Sequence, residues 1–310
     1  MNRMLDPSLA AWGSRRVFAL ALAVWVVGPH ESSLAAPSTG KIVVAGDEWA
    51  FSDAGLPDNG AYVTNVATWF GLLPEGAGKK VLILDGQSSN GGFGGTFGAF
   101  GSAFRRLLAA NGVAVTYRGV TGNPVSPAGY DAVFADGFVE NAATLVPDLA
   151  AFVGNGGAVY VAGGTGTFGG GPKVEAAYWK PFFAAATGTG DFGLGDAGWF
   201  AEEGALRVSG PVGEGVAVLR WYLGQDVSVG GSPHAKAAVS DSLHALVATW
   251  SAPASLSIQR QGSSVVLSWS GSGVLQTAGN PVGPYEDIIP ATSPFTRAID
   301  PGGSRFFRLR

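Results

Sequence analysis

The sequence predicts an α/β three-layer domain with a mostly parallel sheet over residues 41–250, followed by a small all-β module over residues 254–310. Three observations carry this. Short apolar, β-branched runs recur, each closing on Gly or Asp, and segments with helical spacing lie between them. Most of these runs do not alternate apolar with polar residues, which suits strands covered on both faces of a sheet. Near Ser251 the composition shifts to short β runs punctuated by Gly, Pro and Ser.

Taken in order, KIVVAG (Lys41–Gly46) reads as the first strand and the polar DEWAFSDAGLPDNG as a loop. In AYVTNVATWFGLL, Val63, Val66, Ala67 and Phe70 fall at helical spacing. KKVLILDG holds the next strand, centred on Val81 to Leu84. The loop GQSSNGGFGGTFG leads to a helix from Ala103, which Gly112 ends because only glycine enters the left-handed region freely. VAVTYRG and YDAVFADG are strands, NAATLVPDLAAFVGNGG is a helix closed by Gly156 and Gly157, and AVYVAGG is a further strand. Strands and helices alternating at this rhythm call for βαβ units. Beyond Gly171 the expectations are a helix in YWKPFFAAATG and strands in LRVSGP, VAVLRWYLGQDVSV and AKAAVSD. LHALVATW fits a last strand or a short helix. In the final segment Val265, Leu267 and Trp269 alternate with serines, the pattern of a half-buried strand.

The composition excludes several function classes. The chain has 310 residues, 46% of them hydrophobic and 14% charged, so it can bury a large core. A formal net charge of −4 with no basic run argues against a nucleic-acid partner. Cysteine is absent, which removes thiol nucleophiles, cysteine-based zinc sites and lipid attachment through cysteine. Arg15 and Arg16 precede eleven apolar residues, Val17 to Val27, and small residues follow at Ser33 and Ala35. This is the layout of a secretory signal peptide over residues 1–36, cut near Ala35 or Ala36, and the apolar run is too short to span a membrane. The expected compartment is therefore secreted or periplasmic, with no membrane span in the mature chain.

The segment Lys79–Gly170, carrying VLILDG, YDAVFADG and GGAVYVAGGTG, resembles the class I glutamine amidotransferase-like superfamily, with the trehalose-utilisation-type branch most similar. The resemblance covers roughly residues 41–250 and implies a flavodoxin-like three-layer domain. The C-terminal carriers VVLSWSGSGVLQTAGNPVGPYEDI and SRFFRLR resemble small β-sandwich modules of secreted proteins from Verrucomicrobia-like and Planctomycetes-like bacteria. Amidotransferases of this superfamily place a cysteine at the strand-to-helix elbow, with a His and a Glu later in the chain. Here the elbow reads Gly163-Gly164-Thr165-Gly166, and no cysteine exists to attack an amide carbonyl. Glutaminase chemistry is excluded. Gly163 and Gly164 are read as shaping a tight turn; the alternative is that Thr165 or Thr167 serves as an alcohol nucleophile, which needs a base and an oxyanion hole beside it.

Three expected strands end directly in acidic residues: Asp47 and Glu48, then Asp85, then Asp136. In a parallel sheet those ends share the edge where α/β proteins bind ligands. Gln87, Ser88, Ser89, Asn90, Glu140 and Asn141 belong near it, and Trp49 beside Asp47 is the tryptophan most expected to be exposed. Such a set can hold a hard cation or the hydroxyls of a sugar, and the same aspartates also suit helix caps and turns. Asp136 and Glu140, with Asp85, are the candidates for acid/base work. No P-loop or G-x-G-x-x-G spacing is present, so no nucleotide cofactor is expected. His234 and His244 are too few for a zinc site. The expected function is a secreted non-catalytic binding protein for a small polar or carbohydrate ligand, its β module contacting a cell-surface component. The alternative is an extracellular hydrolase of carbohydrate or peptide using carboxylates.

Overall fold

A computed structural model of the chain describes residues 39–86, 99–118, 125–137, 142–164, 171–200, 204–221, 224–230, 232–269, 274–300 and 302–310, with backbone alone at 142–144 and 199–200. The chain divides into two compact units, with the break between Ala254 and Ser255.

In the larger unit the elements run β1 (Lys41–Ala45), a 3-10 turn (Glu48–Phe51), α1 (Leu56–Trp69), β2 (Lys80–Leu84), α2 (Ser102–Ala110), β3 (Ala114–Arg118), β4 (Ala132–Asp136), α3 (Ala142–Gly154), β5 (Ala158–Ala162) and α4 (Pro172–Thr187). There follow β6 (Phe192–Phe200), β7 (Arg207–Val208), the single turn α5 (Gly210–Gly213), β8 (Gly224–Val229), β9 (Ala235–Ser240) and β10 (Ala245–Ser251). Eight strands form one sheet in the order β3-β2-β4-β5-β1-β10-β9-β7. The first five named are mutually parallel, and β10, β9 and β7 extend the sheet antiparallel. The sheet is mixed, with a parallel core.

Each parallel strand sends alternate residues to opposite faces, and both faces are apolar. Val43, Val81, Ile83, Phe134 and Tyr160 join α1, α2 and the 3-10 turn in one core. Ile42, Val44, Leu82, Leu84, Val133 and Val161 join α3 and α4 in the other. This double coverage is why the strands read as apolar runs instead of alternating. One core centres on Phe51, whose ring lies 4.6 Å from Tyr160 and 4.7 Å from Phe104. Burial of such a side chain contributes roughly 1.5–3 kcal/mol.

Chain order and spatial order differ in a way that creates a crevice. From β2 the chain passes through α2 to β3 on one side, then returns to β4 on the other side. β2 and β4 are thus neighbours with connections departing in opposite directions, the condition for a ligand crevice at their carboxyl ends. β1, first in the chain, closes the parallel set beyond β5, with Ala45 opposite Ala162.

Where the helices end follows local chemistry. Gly112 takes φ +79° directly after α2, and Gly188 takes φ +74° to cap α4. α1 begins earlier than the apolar spacing alone indicates, because a proline stands in its first turn.

Two elements differ from the sequence reading. VAVLRWYLGQDVSV is not one strand: β8 begins only at Gly224, and Val216, Leu219 and Trp221 are core residues on an irregular segment. The buried Asn59 side chain replaces a neighbouring strand there, donating to the Arg220 carbonyl at 3.1 Å and accepting from the Arg220 amide. The second is a strand with no expectation behind it. β6 pairs with β8 as a separate two-stranded sheet. Its glycines hide the pattern, since a Cβ on Gly193 would lie 2.3 Å from the Phe183 ring and one on Gly195 2.1 Å from Asp226. LHALVATW resolves as the strand β10.

The smaller unit is all β. β11 (Leu256–Gln261), β12 (Ser264–Trp269) and β15 (Phe295–Ala298) form one antiparallel sheet, and β14 (Glu286–Asp287), β13 (Leu275–Ala278) and β16 (Phe306–Leu309) another. Leu267, Trp269 and Leu275 make its core. Ser268 is buried, so this part of β12 is not the half-buried strand that its alternating serines predict.

Candidate functional site

The carboxyl edge of the parallel strands gathers five acidic side chains. Asp47 follows β1 and is buried; its Oδ1 accepts the Trp49 amide at 2.6 Å, capping the 3-10 turn. That turn aims Glu48 into the edge. Asp85 follows β2 with no exposed surface, and its Oδ2 accepts from the Tyr117 hydroxyl at 2.9 Å and the Phe100 amide at 3.4 Å. Asp136, the last residue of β4, is fully buried. The fifth is Glu175, on the buried face of α4.

Glu48 reports how close these groups lie. Burial raises its pKa well above the ordinary carboxyl range, and the charges of Asp136, Asp47, Glu175 and Asp85 raise it further, in that order. The site therefore holds one carboxyl that keeps its proton against rising pH. Carboxyl groups gathered this closely suit hydroxyl or cationic donors as partners.

Glycines let backbone and carboxylate approach closely. Gly164, at the end of β5, takes φ +81°, and its amide donates to Glu175 Oε2 at 3.1 Å. A Cβ on Gly137 would lie 1.6 Å from Glu175 Oε1, while Trp179 Nε1 donates to the Gly137 carbonyl at 2.9 Å. Helix α4 thus grips the ends of β4 and β5 with two side chains one turn apart. On the far side, the Gln225 amide donates to the Gly46 carbonyl at 2.8 Å, and Trp221 packs where a Cβ on Gly46 would come within 3.2 Å.

Of the residues expected at this edge, Asp47, Glu48, Asp85, Asp136 and Gly164 are brought together. Trp49 is half-buried, its ring 2.8 Å from where a Cβ on Gly55 would stand, so it is not the exposed tryptophan that its polar surroundings predict. Gln87, Ser88, Ser89, Asn90, Glu140, Asn141, Thr165 and Thr167 lie outside the described residues. Of the two elbow glycines only Gly164 needs the left-handed region; Gly163 is required because a Cβ would meet a Leu194 methyl at 2.4 Å. His234 and His244 flank opposite ends of β9, and His244 Nδ1 lies 3.5 Å from Asp241 Oδ1. Among the described residues no three His, Cys, Asp or Glu are arranged to hold a metal ion.

Sequence reasoning missed Glu175, Tyr117, Trp221 and Gln225. A signal for the first existed: Glu175, Trp179, Phe182 and Phe183 share one helical face, and a charge on a buried apolar stripe needs a partner. The other three come from elements whose neighbours only the fold supplies.

No family model, no curated protein and no solved structure matches this chain. Among the described residues no helix is long and apolar enough to cross a membrane.

Proposed function

We propose that the larger unit is a non-catalytic binding domain for a small polar or carbohydrate ligand, received in the crevice between the ends of β2 and β4. The gathering of Asp47, Glu48, Asp85, Asp136 and Glu175 along the carboxyl edge from β2 to β1 carries the reading. Buried acceptors of this density bond ligand hydroxyls well and need donors to offset their own burial. The strand order supports a flavodoxin-like reading: taken as β3-β2-β4-β5-β1, it is the 2-1-3-4-5 order with its last strand contributed first by the chain. On the proposed amidotransferase-like scaffold the nucleophile is missing, and the elbow amide of Gly164 is already taken by Glu175. In this reading the protein is exported after cleavage near Ala35 or Ala36, and the smaller unit contacts a cell-surface component.

The test is thermal denaturation of the exported form against neutral sugars, polyols and divalent cations. A ligand at a hundred times its Kd raises stability by about 2.7 kcal/mol. Asp85→Asn and Asp136→Asn should abolish that gain while remaining folded. Stabilisation that survives both substitutions would overturn the reading.

One observation favours a second reading, a carboxylate-dependent hydrolase. Glu48, whose proton is held on by burial and by Asp136 beside it, suits the acid of an acid/base pair. Release of reducing ends from a polysaccharide panel, lost in Glu48→Gln, would establish it; no release by the wild type discards it.

A further inference from the structure

A second concavity lies at the opposite, amino edge of the sheet, with a volume of about 480 Å³. That is within the range of small-molecule sites, roughly 300–1,000 Å³. One wall is the segment entering β4, with Tyr130 and Asp131; the other is the end of α3, where Asp148, Phe152 and Asn155 share one face at helical spacing. The floor is Gly157, just before β5. A Cβ there would lie 2.3 Å from Phe152 Cε1, so the glycine lets the ring lie down along the cavity.

The lining has a definite chemistry. Phe152 and Tyr130 are half-buried and present ring surface, while Asp148 and Asn155 are exposed. Among the described residues, the Tyr130 hydroxyl, the Asp148 carboxylate and the Asn155 carboxamide have no hydrogen-bond partner. Asp131 differs: its oxygens are taken by Lys79 Nζ at 3.1 Å and the Lys80 amide at 2.8 Å, which also neutralises the nearby lysine. Asp148 and the carbonyl end of α3 make the cavity unfavourable for anions. Ring faces beside solvent-facing acceptors and donors that no protein group occupies match one class of ligand, with apolar C–H faces and hydroxyl edges.

We propose that this cleft is a second ligand site, for a neutral sugar ring. The ring lies against Phe152 and Tyr130, and its hydroxyls donate to Asp148 and exchange hydrogen bonds with Asn155. The site is independent of the carboxyl-edge crevice, because no residue lines both.

Titration of the isotope-labelled full chain with glucose, galactose, mannose and N-acetylglucosamine, followed by amide chemical shifts, tests it. At least one sugar should give saturable shifts at Gly129, Gly156 and Gly157, and glucuronate should give none. Asp148→Asn, an exposed change that leaves the fold intact, should weaken binding about tenfold, the loss of one charge-assisted hydrogen bond. Phe152→Leu should weaken it while preserving the amide spectrum elsewhere. Absence of saturable shifts with all four sugars overturns the proposal, as does equal binding of glucuronate. Shifts confined to Gly46, Gly137 and Gly164 would also overturn it while supporting the carboxyl-edge function.

Discussion

Glu175 accepts the Gly164 amide at 3.1 Å, and its other oxygen occupies the space a side chain at Gly137 would need. One helix carboxylate therefore fixes the ends of two adjacent strands. Gly137→Ala should destabilise the larger unit by about 1–3 kcal/mol through this clash. In a Glu175→Ala background the same change should cost less, giving a coupling of about 0.5–3 kcal/mol. Denaturant unfolding of the four proteins measures the cycle. Additive effects would mean that the carboxylate does not set the spacing.

The second prediction concerns pH. Burial and then Asp136, Asp47, Glu175 and Asp85 hold the Glu48 proton on, so its folded pKa lies above the unfolded value of about 4.3. A raised acid favours the fold while protonated. That contribution is complete below the unfolded pKa and is lost as pH rises through the folded one. Glu48→Gln removes the dependence, so its melting temperature should gain on the wild type as pH rises, with the gap closing toward pH 4. Parallel profiles would refute the assignment.

How much of this was legible follows from what each feature depends on. The parallel strands and their acidic ends could be read because a strand is apolar wherever both its faces are covered, as Val81 to Leu84 and Ala132 to Ala135 are. Gly112 marked the end of α2 for a local reason, its positive φ. The position of β1 beyond β5 left no trace in local pattern, since strand order is a tertiary property. β6 escaped because its glycines answer to Phe183 and Asp226, partners distant in sequence. Glu175 was visible only as an oddity on an apolar face, and its role depends on Gly137 and Gly164 being within reach.

The elbow glycines should fail for different reasons when substituted. Gly164→Val forces a branched side chain into φ +81° and should cost roughly 1–3 kcal/mol from backbone strain. Gly163→Ala meets Leu194 instead, so Leu194→Ala should recover part of its loss, whereas it should not rescue Gly164→Val. Equal rescue of both would show that the left-handed backbone is not what selects glycine at 164.

Asn59 offers the sharpest separation between a buried polar contact and an exposed one. Its carboxamide meets both backbone groups of Arg220, between the core residues Leu219 and Trp221, and adjacent Asp58 pairs with the Arg220 side chain at 3.0 Å on the surface. Asn59→Leu keeps the volume but strands a backbone donor and acceptor, and should cost about 1–3 kcal/mol. Asp58→Ala removes only a screened ion pair and should change stability by about 0.5 kcal/mol or less. Hydrogen exchange supplies the site-specific readout, because the Arg220 amide should lose protection in Asn59→Leu and keep it in Asp58→Ala. Retained protection at Arg220 in the leucine variant would mean that the segment is held by its apolar neighbours alone, and the side chain of Asn59 would then have no part in replacing the missing strand.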